Sequence, residues 1–491
     1  MIVLLLVLAS GGLLRFVRLS QPPTVVFDET YYAKDACLYL GYGQDYCNLK
    51  QSTEQSYVHP PLGKWIIAVG IKIFGYNSFG WRVMSAVFGT LMILLIYLLA
   101  RKLFKDAWIA AVAGFLVGTD FLLLVQSRIA MLDIFQAFFV VLGFLFLAFD
   151  RERLLASRDH YRLPFPGEPP AREIEWRFAA GSAFGLALAV KWSALWALLG
   201  ALAITAVWIV AQRRFTRSQV SEADHEQRMA QQLSAPKRST LWEVVMSALA
   251  LLVVPVIIYL TSYSSYFADQ MASPCPYRGP EPVEYVKSKT NPDDIPRLNL
   301  GVAHGQCKTG VVGTSLAFVD LQQRMLAYHL TLKATHTYKS KAWTWPLVKR
   351  PIAYYFEGTP KATHILAFGN PATWWASLLA AIWLLFQTFR PSRWRPERLV
   401  ALGWGTQYLP WLLVTRPLFF FYMTPVVPFM MIALAGALGA LREKGKIAKW
   451  FVWGYLAIGV VGLLIYFYPV IAAVGLRRDL WQSRMWFSSW I

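Results

Sequence analysis

Residues 1–35 read MIVLLLVLASGGLLRFVRLSQPPTVVFDETYYAKD. The apolar run over 1–19 suits a hydrocarbon core of about 30 Å, which needs roughly 20 helical residues at about 1.5 Å each. Arg15 and Arg18 stand at its far end, and the adjacent carboxylates Asp28 and Glu29 follow shortly after. A segment that leaves a bilayer and at once presents an acidic pair sets both the fold class and the place to look for chemistry.

The pattern of the first run recurs along the chain. Eleven such stretches are read, near 1–19, 80–100, 107–125, 131–149, 176–190, 193–211, 241–262, 372–389, 398–414, 417–441 and 447–469, with the fifth and sixth divided only by Lys191 and Trp192. Composition agrees with an all-α polytopic membrane protein: 56% of the 491 residues are apolar and 15% charged, against about one half and one quarter in soluble domains. The formal charge of +20 sits in short clusters between apolar runs, a distribution that excludes a nucleic-acid-binding domain and suits membrane lipids as partners.

Short cytoplasmic loops carry excess Lys and Arg. Basic clusters follow the second span (Arg101, Lys102, Lys105), the fourth (151–177), the sixth (213–238), the eighth (390–398) and the tenth (442–449). That alternation places the N-terminus in the cytoplasm and leaves two long exterior segments, 20–79 and 263–371, as the sites of chemistry within one membrane domain covering 1–491. The opening run lacks a charged leader and so does not read as a cleaved signal peptide; an upstream cytoplasmic arm is an open expectation. All four cysteines, Cys37, Cys47, Cys275 and Cys307, fall in the exterior segments, which fits an oxidising compartment. Three pairings are possible, and the simplest joins Cys37 to Cys47 and Cys275 to Cys307.

Successive residues point differently in helix or strand, so at most one of Asp28 and Glu29 is expected to face a substrate. Taken alone the pair is also compatible with a solvated helix cap. HPPLGKW at 59–65 stiffens the chain before Lys64 and Trp65; it either aims His59 and Lys64 at a site or forms a membrane re-entry turn. Arg15, Arg18, Arg82, Arg128 with Asp133, Lys191 and Arg416 lie in apolar surroundings or at helix ends toward the exterior. Charges at such depth face a cavity or pair with one another, which leaves two readings: a polar pocket for an anion, or helix-to-helix pairing such as Arg128 with Asp133. Arg15 and Arg18 run against the positive-inside tendency, and a phosphate would compensate them. Residues 311–335 fit either an amphipathic helix on the membrane or ordinary packing against the spans.

These motifs together resemble the protein O-mannosyltransferases, glycosyltransferase family 39, whose membrane architecture is the GT-C fold. FDETYY at 27–32 is similar to that family's Asp-Glu motif, HPPLGK at 59–64 is a close match, and WRVMSAVFG at 81–89 resembles the stretch that holds an important arginine. QSRIAMLD at 126–133, VKWSALW at 190–196, WPLVKRPIAYY at 345–355 and TRPLFFFYMTPVVPF at 415–429 carry the likeness through nearly the whole chain. The segment 263–371 lacks room for the β-trefoil (MIR) domain of the eukaryotic members, which points to the bacterial, actinobacterial branch and leaves open how an acceptor is gripped.

The resemblance implies an inverting transfer of mannose from polyprenyl phosphate mannose to Ser or Thr hydroxyls of exported polypeptides, at the outer face of the cell membrane and with the secretion translocon as a candidate partner. Asp28 is then the general base, by position and by resemblance, Glu29 orients the acceptor or a cation, and Arg82 holds the acidic loop. Lys191 and Arg416 become the phosphate ligands, with His59, Lys64, Arg128 and Arg15 as further candidates. No nucleotide-sugar motif and no metal-ligand spacing is read, so neither an obligate metal nor another cofactor is expected. Two rival readings are a lipid-phosphate glycosyltransferase of the same fold acting on a glycan or lipid, and a transporter or lipid scramblase, for which internal repeats are usual and none is read here.

Overall fold

The computed structural model describes residues 2–43, 45–47, 58–159, 175–222, 240–279, 300–333, 336–391 and 395–491. Inside a bilayer every backbone N–H and C=O has to be satisfied within its own segment, so the apolar stretches are helical. In chain order they include α1 (Ile2–Phe16), α4 (Ser78–Phe104), α5 (Ala107–Thr119), α7 (Asp133–Asp159), α8 (Glu175–Val190) and α9 (Leu195–Glu222). Between these lie α2 (Glu29–Tyr39), α3 (Leu62–Phe74) and α6 (Phe121–Gln126).

Among the described residues six helices are long and apolar enough to cross a membrane: Ser78–Phe104, Asp133–Glu152, Trp192–Ala211, Leu241–Ser262, Pro371–Phe389 and Lys446–Ile471. Ile2–Phe16, Ala107–Thr119 and Val427–Arg442 are shorter apolar helices. The stretches 176–190 and 398–414 hold Glu175–Val190 and Pro396–Tyr408, of 16 and 13 residues.

Two expected spans end early. The run over 107–125 breaks at Asp120, because its carboxylate starts a new helix by accepting from the Leu123 amide (3.0 Å) and also takes the Trp374 indole N–H (2.7 Å). The first helix stops at Phe16, and Arg18 turns the chain with φ 57. The division at Lys191 is where the sequence placed it: Lys191 is extended (φ −158, ψ 132) between α8 and the turn Trp192–Ala194. Close helix approach explains Gly181, where a Cβ would run into the Ala250 carbonyl of Leu241–Ser262.

One end of the bundle carries the extra elements. There α2 and α3 precede α4, whose first turn is capped by Asn77 accepting from the amides of Phe79 (3.0 Å) and Gly80 (2.9 Å). Further on come the helix Ser264–Ala272, a two-residue ladder of β1 (Tyr277–Arg278) with β2 (Cys307–Lys308), the helix Gly310–Thr331, and an antiparallel hairpin of β3 (Ile352–Glu357) and β4 (Thr363–Ala367). Cys37 is bonded to Cys47, and Cys275 to Cys307. The helix Gly310–Thr331 combines both readings of its sequence. Gln322 accepts from the Tyr259 hydroxyl at the end of a span (2.6 Å), while Val312, Val319, Leu326 and Leu330 form an exposed apolar row.

The opposite end is tied by a buried arginine. Arg177 of α8 meets Asp150 of α7 (3.0 Å), Glu243 (3.2 Å) and the Ser247 hydroxyl (2.8 Å). The basic stretches 151–177, 213–238 and 390–398 lie partly outside the described residues. Removing one partner from a buried pair leaves an uncompensated charge and costs about 3–5 kcal/mol. Arg177→Ala should therefore lower the thermal unfolding midpoint in detergent well below that of a surface control such as Lys105→Ala; equal midpoints would show that Arg177 holds nothing together.

Candidate active site

The site begins with the chain between α1 and α2. Arg82, in the first turns of α4 and fully buried, donates to the carbonyls of Leu19 (3.2 Å), Pro22 (2.7 Å) and Thr24 (2.8 Å). Its Nε and Nη2 also grip the two oxygens of Glu29, each at 2.8 Å. Glu29 in turn accepts from the amides of Ala130 (2.8 Å) and Val26 (2.9 Å) and has no exposed surface. A carboxylate offers about four lone-pair sites, and here all are taken. Glu29 therefore does not orient an acceptor or a cation, contrary to expectation: it is the buried anchor of the loop that Arg82 holds.

Asp28 is the carboxylate left over. Phe27 has φ 50, a left-handed turn just before the N-terminus of α2, and Asp28 sits at the N-cap without capping it. It faces Tyr32, Lys191 and Asp133. Burial pushes its carboxyl from 3.8 up to about 6; Lys191 opposes the rise, Asp133 adds to it, and a hydrogen bond from Tyr32 opposes it again. A base poised near neutrality is what proton abstraction from a hydroxyl needs.

Lys191 extends from the break after α8 and bonds Asp133 at 2.8 Å, with its ammonium 5.4 Å from the Phe421 ring and 5.2 Å from the Tyr422 ring. One of the two sequence readings pairs Asp133 with Arg128. Arg128 instead caps the end of α1, donating to the carbonyls of Leu14 (2.8 Å), Arg15 (3.2 Å), Val17 (2.6 Å) and Arg18 (3.3 Å).

Three of the proposed phosphate ligands are occupied elsewhere. Arg128 holds helix-end carbonyls; Arg15 is buried and donates to the carbonyls of Gly11, Gly118 and Val117 and to Ser127 Oγ; Lys64 is buried against Asp35 (2.7 Å). The physical reason is common to all three. A cation in an apolar wall takes the nearest oxygen, and backbone carbonyls at helix ends supply one as readily as a phosphate does.

Arg416 remains available. It is half-buried, leans on Tyr422 (5.7 Å to the ring) and has no carboxylate partner among the described residues. Beside it the rings of His59 and His329 lie 5.4 Å apart, His329 meets the Val58 carbonyl at 3.0 Å, and His59 Nδ1 is buried with no partner among the described residues. Burial first, then Lys191 and other nearby cations, keeps His59 well below 6.5; burial and Arg416 bring His329 to about 4. Neutral imidazoles beside two cations make a local environment that favours an anion.

Sequence reasoning missed Asp133 as the partner of Lys191, and Tyr32, Tyr354 and Tyr422 as wall residues; His329 was named only as part of a helix. Tyr354 lies in the WPLVKRPIAYY stretch and is buried two residues after Ile352, as the alternation of β3 requires. Among the described residues no three His, Cys, Asp or Glu side chains gather in a way that would hold a metal ion.

The chain is similar to known proteins over nearly its whole length. The family described as dolichyl-phosphate-mannose-protein mannosyltransferase matches residues 73–269, and the C-terminal four TMM region of protein-O-mannosyltransferase matches 315–490. The polyprenol-phosphate-mannose–protein mannosyltransferase of Corynebacterium glutamicum is 30% identical over 97% of this chain and 91% of its own length. That of Mycobacterium tuberculosis is 29% identical over 96% and 88%. Among solved structures, the Saccharomyces cerevisiae Pmt1–Pmt2 complex bound to the sugar donor has a TM-score of 0.70 at 15% identity, covering 100% of this chain and 92% of that one, a likeness of the GT-C fold.

The two adjacent carboxylates should separate in a stability measurement. Glu29→Gln removes the anion from fully buried Arg82, a change worth about 3–5 kcal/mol, and should yield little monodisperse protein. Asp28→Asn should unfold at or above the wild-type temperature, since it removes a carboxyl that burial disfavours. Equal loss in both variants would end this division of roles.

Proposed function

The chain belongs to the dolichyl-phosphate-mannose-protein mannosyltransferase family, and from that premise we propose that it transfers mannose from a polyprenyl phosphate carrier to Ser or Thr hydroxyls of polypeptides at the outer face of the cell membrane. The observation that carries the reading is the separation of Asp28 from Glu29: one carboxylate is consumed by Arg82, the other is held near 6 and faces a cationic pocket.

In this reading Asp28 takes the proton of the acceptor hydroxyl as its oxygen attacks the anomeric carbon. The bond from that carbon to the phosphate oxygen breaks, and the carrier leaves as a phosphate monoester. Lys191 uses one N–H on Asp133 and keeps two for the departing oxygens. Arg416, without a carboxylate partner, supplies the second cation. His59 offers its buried ring nitrogen to the same phosphate. A single displacement with one base inverts the anomeric centre, so a β-linked donor gives an α-linked product.

The orientation assigned to the chain follows the same logic. The site shares its end of the bundle with both disulfides, and Lys102, Lys105, Glu152 and Arg177 lie on α4, α7 and α8 toward the other end. This supports a cytoplasmic N-terminus, an outward-facing site and acceptors met during export, with the translocon as a candidate partner. A lipid or glycan acceptor is the alternative. Assays with radiolabelled polyprenyl phosphate mannose and a synthetic Ser/Thr peptide, run beside lipid acceptors, decide between them; label recovered unchanged in every arm would point to transport.

Because Asp28 has to be ionised to accept a proton, and is protonated below about 6, kcat/KM should fall about tenfold per pH unit below that value and level off above it. Asp28→Asn should lose roughly 10² to 10⁴ in rate; activity above a tenth of wild type removes Asp28 from the base role.

For the phosphate, Lys191→Ala and Arg416→Ala should each weaken carrier binding by roughly ten- to a hundredfold, the worth of a charge-assisted contact. Acceptor affinity should change little. Unchanged carrier affinity in both monodisperse variants would end the cationic-pocket reading.

A further inference from the structure

The hairpin of β3 and β4 is asymmetric at its edges. On the outer side of β4 the ladder continues into the C-terminal segment: the Ala362 amide donates to the Leu476 carbonyl (2.9 Å), Leu476 returns the bond (3.0 Å), and the Ala473 amide donates to the His364 carbonyl (3.2 Å). On the outer side of β3 no backbone partner is found among the described residues. β4 also packs on α6 and on the helix Leu463–Ile471, while β3 packs chiefly on β4. Among the described residues β3 is thus a free edge, and free edges are templates for another strand.

This edge runs to the candidate base. At its outer end Phe356 is 51% exposed and Glu357 is exposed. The register shifts between Ala353 and Tyr355, leaving Tyr354 without a cross-strand partner, and the buried positions of β3 are Ile352 and Tyr354. Tyr354 is turned inward and buried; its hydroxyl accepts from Gln126 Nε2 (2.7 Å) and its ring lies 4.8 Å from that of Phe27, the neighbour of Asp28. Over about 3.3 Å per residue, β3 leads from solvent to one side chain from the acid that would take the acceptor's proton.

We propose that the acceptor polypeptide docks in an extended conformation as an added strand on the free edge of β3, which brings its hydroxyl residue to Asp28. This rests on the protein-acceptor reading above. Acceptors that share little beyond a Ser or Thr are best held by what every polypeptide has, its main chain, and strand addition does so through backbone hydrogen bonds. Alternate side chains then point to opposite faces, so residues two before and two after the hydroxyl share its inward face. The flanking residues on the other face remain in solvent.

The test is a scan of single N-methyl groups along a synthetic peptide with one Ser and five residues on each side, reading kcat/KM for mannosyl transfer. Methylation should lower the rate by about tenfold at every second residue, where the amide faces β3, and have little effect between. A flat or irregular profile overturns strand docking. In parallel, Phe356→Cys under mild oxidation should trap peptides carrying a cysteine at positions two apart, and trapping at no position or at all positions equally also overturns it. The unmethylated peptide separates the two levels of inference. If it is not mannosylated, the protein-acceptor reading fails; if it is mannosylated but the scan shows no alternation, only the strand does.

Discussion

The buried pair of Arg82 and Glu29 is the interaction on which the site depends. One guanidinium collects three carbonyls from 19–24 and both oxygens of Glu29, and Glu29 adds the amides of Val26 and Ala130. The end of α1, the start of α2, the first turns of α4 and the turn before α7 are thereby fixed by two side chains. Burying two ions is expensive, and replacing such a pair by apolar residues is often neutral or stabilising. Here the pair does more than balance charge, because it satisfies four backbone groups of an irregular loop that has no ladder of its own, and one of the turn before α7.

Fixing that loop gives Asp28 its environment. A carboxylate beside Lys191 would ordinarily be held low by the cation, and a low base is a poor one. Asp133 changes that balance by taking Lys191 at 2.8 Å, so the lysine is stationed near Asp28 but committed elsewhere. Burial then outweighs the residual attraction, and Asp28 rises to about 6. The same lysine, stacked on Phe421 and Tyr422, still contributes positive charge beside Arg416, so in the proposed mechanism base and leaving-group stabilisation are separated in space.

The sequence exposed much of this and misdirected on some of it. Apolar runs located helices because hydropathy is local, and the break at Lys191 was visible because a Lys-Trp step interrupts a run. FDETYY and HPPLGK flagged the loops that hold Asp28, Glu29 and His59. What stayed hidden was long-range pairing: Arg15, Arg128 and Lys64 look the same in sequence as Lys191 and Arg416, and only the fold shows that the first three meet carbonyls or Asp35. Asp120 was lost inside an apolar run because one polar residue hardly moves an average, yet its capping bonds split the helix. The irregularity at Tyr354 depends on cross-strand register, which the residues of one strand do not encode by themselves.

The order of the two acids is also a physical matter. Glu29 has to span from the first turn of α2 to Arg82 with both oxygens and still reach two amides, and the shorter Asp in its place would fall about 1.5 Å short, one C–C bond. Asp28, as the proposed base, has the opposite requirement: a longer side chain with one more rotatable bond would approach Lys191 in several ways and lose the fixed position that the role needs. Each acid is therefore matched in length to its anchoring or proposed catalytic task, and exchanging them would spoil the anchor and the proposed base alike without altering the net charge of the loop. Charge alone thus does not specify the site; the reach of each side chain from a loop pinned by Arg82 does.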